Sequence, residues 1–113
     1  MRRCFKDLIN SMKYADDTGF YCYRAIETLR NHCAALYDLS THGKDTQWEK
    51  FREISGCDEQ AIRKIKAASD PVRHGNILEI TSSDRANLFI ITWQIVDGYL
   101  RNLQINQENR GVP

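Results

Sequence analysis

The sequence is short of proline, of long apolar runs and of net charge, and each shortage excludes something. Two prolines among 113 residues, beside 42% apolar and 27% charged side chains, exclude a disordered composition. No apolar stretch approaches the roughly 20 residues that span a bilayer, and no apolar leader segment follows Met1-Arg2-Arg3. The chain therefore reads as soluble and cytoplasmic, with no membrane among its partners. A formal charge of +1, with acids and bases interspersed, excludes a global field that recruits nucleic acid or anionic lipid. Any RNA binding must then come from a local patch, assembled within one subunit or across two.

The common catalytic signatures are also missing. Gly43-Lys44 stands alone rather than in a Walker loop. There is no dinucleotide glycine fingerprint, no zinc-protease helix motif and no Cys-x-x-Cys pair. Cys22 and Cys33 fall on one helix about 16 Å apart, too far to bridge each other. With Cys4 and Cys57 they read as buried free thiols. Neither metal nor cofactor is expected.

What is present is a string of amphipathic helices in one domain, residues 1–113. Phe5, Leu8, Ile9 and Met12 stand at helical spacing over residues 3–14. From Phe20 to Ser40 the stripe Cys22, Ile26, Leu29, Cys33, Leu36 steps 4-3-4-3, which predicts a long core helix closed by Gly43, with His42 and Lys44 at its negative end. Asp45-Thr46 can cap a short helix that buries Trp48, Phe51 and Ile54 and stops at Gly56. Asp58 caps a fourth, with Ala61, Ile62, Ile65 and Ala68 inward, and Pro71 stops it. A last helix over roughly 83–105 is apolar around more than half its circumference, from Leu88 through Trp93 to Leu103. Such a helix is central to a bundle or shared with a second subunit. The polar stretch Gln104–Pro113 reads as a frayed tail. The expected fold class is all-α, a bundle of about five helices.

Three places carry candidate chemistry. In Ser69-Asp70-Pro71-Val72-Arg73-His74-Gly75, Asp70 and Pro71 can open a single new turn that presents Arg73 and His74. There Arg73 would grip a phosphodiester and His74 would move a proton. The plain alternative is that both close the preceding helix or pair with Asp70. On the long helix, Tyr23, Glu27 and Arg30 share one face. They form a site wall that orients Arg73 or His74, or else an exposed, salt-bridged edge. His32 reads as a satisfied, half-buried side chain.

Taken together, Tyr23-Arg24-Ala25-Ile26-Glu27, the short helix with Trp48 and Phe51, the run from Ile65 to Gly75, and a last helix with Trp93 and Tyr99 resemble a HEPN domain (higher eukaryotes and prokaryotes nucleotide-binding) over about residues 18–103. The resemblance implies an α-helical bundle, usually a homodimer. It also implies an RNA- or nucleotide-associated role in a defence or regulatory system, often as a metal-independent ribonuclease with a protein partner such as an antitoxin. The family motif is an Arg, often with a polar residue after it, and then a His-Gly with four to six residues between the Arg and the His. His74-Gly75 matches its end and Asp70 stands at the polar position. Ala67, Ala68 and Ser69 occupy the places where the Arg would fall; Lys66 lies one position outside, and Arg73 adjoins the His. The resemblance therefore implies either that Arg73 substitutes from another direction or that this is a degenerate member used for binding. A non-catalytic helical adaptor, alone or as part of a longer polypeptide, is the alternative of a different class.

Overall fold

The computed structural model describes residues 2–13, 18–69 and 82–110. All regular structure among them is α-helical: α1 (Arg2–Lys13), α2 (Thr18–Leu36), α3 (Lys44–Ser55), α4 (Glu59–Ser69) and α5 (Ser82–Arg110). The predicted all-α class holds, and α2 is its centre, touching each of the other four helices. Four residues of the 4-3-4-3 stripe, Cys22, Ile26, Leu29 and Cys33, are buried, with Ala25 beside them, whereas its last member Leu36, at the end of α2, is 37% exposed.

Local chemistry sets most of the helix ends. After Leu36 the chain reverses, with Asp38 in the left-handed region (φ 61°) and the Leu39 N–H bonded to the Ala34 carbonyl at 2.7 Å. The long helix therefore stops short of the expected Ser40, and Gly43 does not close it. Gly43 is instead the residue before α3, and its carbonyl accepts the Gln47 N–H. Asp45 and Thr46 lie inside α3 rather than capping it. His42 sits in the connection, where the Gln47 amide bonds the carbonyls of both Leu39 and His42. Gly56 does end α3, at φ 74°, a backbone state that strains other residues. Asp58 caps α4 through a 2.8 Å bond from the Ala61 N–H.

The core is aromatic where α2, α3 and α5 meet. Phe51 and Tyr99 are fully buried with ring centroids 5.3 Å apart. The end of α3 docks onto α5 at Gly98, where an added Cβ would lie 2.6 Å from the Ser55 carbonyl oxygen. Asn102 then donates to the otherwise unpaired Ile54 carbonyl at 2.9 Å. Gly19 plays the same part between α2 and α4, since a Cβ there would collide with the Ala68 carbonyl.

Two further expectations are corrected. The predicted frayed tail begins inside a helix: α5 runs on to Arg110. Three of the four residues of the apolar stripe predicted on α1 face outward. Phe5, Ile9 and Met12 are 40%, 52% and 63% exposed, while Cys4, Asp7, Leu8 and Ser11 face the core. Polar contacts accompany that rotation. Asp7 lies 3.6 Å from Arg24, and the Ser11 carbonyl accepts the Thr18 hydroxyl at 2.9 Å. Small side chains on this face let α1 lie close against α2.

Candidate functional site

Three helices enclose a cleft of about 470 Å³. Its walls follow from helical spacing. On α3 the lining positions are Asp45, Trp48, Glu49 and Arg52; on α4 they are Glu59, Ile62, Arg63 and Lys66. Both sets step i, i+3, i+4, i+7, so each is one helix face. From α2 comes Tyr23, whose ring stacks on Trp48 at 6.2 Å and 21°. Trp48 in turn meets Phe51 edge-on at 5.8 Å, which ties the cleft floor to the aromatic core.

The stripe predicted on α2 takes neither of its two expected forms in full. Tyr23 lines the cleft, but Arg30 is 6% exposed, so this is no solvated edge. Its guanidinium lies 4.8 Å from the Trp48 ring centroid, on the aromatic group that Tyr23 stacks against. One nitrogen of Arg30 bonds Asn31 at 3.0 Å and its Nε has no hydrogen-bond partner among the described residues. Burial raises the Tyr23 phenol above its ordinary value; the neighbouring Glu27 adds to this and Arg30 opposes it.

The structure thus gathers Tyr23, Arg30 and Lys66 around Trp48, with Glu27 close enough to act on Tyr23. Asp70, Arg73 and His74 lie outside the described residues. Sequence reasoning placed Trp48 only in the core and passed over Arg52 and Arg63. The signal that marks them is the polar i, i+3, i+4, i+7 face that each of the two short helices carries. Arg63 is held by Glu59 at 2.6 Å, whereas Arg52 and Lys66 face the cleft beside Asp45 and Glu49. The lining is balanced in charge, with cations toward the α4 end.

Chemically, an aromatic pair flanked by guanidinium and ammonium groups suits a planar ring bearing an anion. The thiols are poor nucleophiles. Burial raises Cys22, Cys33 and Cys57, and pushes Cys4 up to about 11. His32, as expected, is satisfied: its Nδ1 lies 2.7 Å from the Tyr99 hydroxyl, and burial lowers its pKa. All four cysteines are free. Among the described residues no three His, Cys, Asp or Glu side chains are grouped to hold a metal ion. No described helix is long and apolar enough to cross a membrane.

No curated protein and no solved structure matches the chain. The HEPN resemblance therefore rests on the helical pattern and motif residues of the sequence. Residues 1–104, which take in α1 to α4 and most of α5, match the model of a domain of unknown function, the DUF8168 C-terminal domain, and the chain belongs to that family.

Proposed function

We propose that this domain is an RNA- or nucleotide-associated module whose binding site is the cleft between α2, α3 and α4. The observation that carries the reading is the stacked Tyr23–Trp48 pair, backed by Arg30 and flanked by Arg52 and Lys66. Bases stack on such rings with little sequence preference, and the cations take the phosphates. Lys66 stands four residues before Asp70 and eight before His74, so the HEPN-like motif follows directly from the α4 wall. In this reading His74 and Arg73 supply proton transfer and phosphate contact, in a defence or regulatory setting with an antitoxin-like partner, and two copies act together. Ile90 and Trp93, half exposed and three residues apart on α5, are the dimer contact.

The same exposed pair supports the second reading, a protein-interaction adaptor without chemistry. One experiment separates them: labelled single-stranded and structured RNA, in EDTA, with wild type, Lys66→Glu and His74→Ala. Binding at physiological salt that falls about tenfold in the exposed Lys66→Glu variant supports the cleft. Cleavage abolished by His74→Ala, with 2′,3′-cyclic ends in the wild type, adds the ribonuclease activity. A folded protein that binds no RNA leaves the adaptor.

A further inference from the structure

The outward face of α1 is apolar along its middle and cationic along its edges. Phe5, Ile9 and Met12 form its i, i+4, i+7 ridge, and Arg2, Arg3, Lys6 and Lys13 are exposed beside it. The one acid on the helix, Asp7, is turned inward and lies against Arg24. The described outer face of α1 thus carries four cations and no carboxylate. On α2 the Arg24 guanidinium that meets Asp7 also lies over the ring of Phe20, which is 45% exposed.

We propose that, against the expectation of no membrane partner drawn from whole-chain charge and apolar runs, this local face docks on an anionic phospholipid surface, with α1 lying in the plane of the headgroups. Charge and area both select that occupant. A second copy of α1 would set cations against cations. A helix of 12 residues is about 18 Å long and about 10 Å wide, a footprint on the order of 200 Å². That is far below the roughly 800 Å² each partner contributes to a stable protein interface. Neither described cavity is lined by α1. A short apolar ridge edged by Lys and Arg is the arrangement that partitions into an interface without crossing it. Each basic side chain near an anionic leaflet strengthens binding about fivefold.

The test is co-sedimentation of the full chain with phosphatidylcholine vesicles, with and without about 30% phosphatidylserine. The expected result is binding to the anionic vesicles alone, weakened by added salt. Lys6→Glu should weaken it about twentyfold and Ile9→Ser about fivefold, with thermal midpoints unchanged because both side chains are exposed. Equal sedimentation with neutral vesicles, no sedimentation with either, or wild-type binding by Ile9→Ser would each overturn the proposal. The last outcome would reduce the face to a cationic patch open to any polyanion. Failure here leaves the cleft untouched, since Lys6 and Ile9 do not line it.

Discussion

The two flanks of α2 are built from different materials. Toward α3 and α5 it meets large rings: Phe51 and Tyr99 in the core, then Trp48 and Tyr23 stepping out to the cleft. Toward α1 it meets Cys4, Leu8, Ser11 and a buried carboxylate. The aromatic flank is held by buried area, so hydrophobic spacing finds it. The α1 flank is held by close approach and polar contacts, and there the same spacing points to the wrong face.

The most severe way to break the aromatic flank is Phe51→Ala. The ring is fully buried between Trp48 and Tyr99, and its loss should cost about 3–5 kcal/mol in urea unfolding. It should also loosen the Tyr23–Trp48 stack, so that on the reading proposed above any RNA affinity would fall with stability.

On the other flank the sharpest test compares adjacent residues. Leu8 is 4% exposed and Ile9 52%, although both belong to the predicted apolar stripe. Leu8→Ala should cost about 2–4 kcal/mol, whereas Ile9→Ala should change stability by less than about 0.5 kcal/mol. Equal effects from the two would mean that α1 is rotated from the orientation described.

The smallest effects are in pH dependence, where the flanks should differ in sign. Burial raises the Asp7 carboxyl above its ordinary 3.8, with Arg24 opposing. Folded Asp7 therefore keeps its proton longer than the unfolded chain does. Its contribution to stability falls as pH climbs from 3.8 through the raised value. Burial lowers His32 below its ordinary 6.5, so the unfolded chain binds more protons just below that pH. Stability from this group is complete above 6.5 and is lost as pH falls toward the lowered value. Urea midpoints measured across this range should lose the acid limb in Asp7→Asn and the near-neutral limb in His32→Gln. Either limb surviving its own substitution would assign it to another group.

The candidate site was legible in part. Tyr23, Glu27 and Arg30 were marked by their shared face, and Lys66 by its place before the Asp70–Gly75 run. Trp48 was marked too, but as core, because an aromatic residue on a short helix reads the same whether it fills an interior or floors a cleft. Arg52 and Arg63 were missed because a charged residue on a helix is ordinarily a solvated one. Their faces become a wall only when α3 and α4 are set against each other. Arg73 and His74 rest on the sequence motif alone.

By itself the sequence determined the all-α class, the central helix with its 4-3-4-3 stripe, the stop at Gly56 and the cap at Asp58. Periodicity, a left-handed backbone state and a side-chain cap are local, and short-range physics reads them. Only the tertiary structure decided the rotation of α1, the burial of Arg30 on Trp48, and the early turn at Asp38 that makes Gly43 the start of α3. Each of those depends on a contact between segments far apart in the chain or on a choice between competing ends. The strength of a pairing such as Asp7 with Arg24 is invisible until the two helices are side by side.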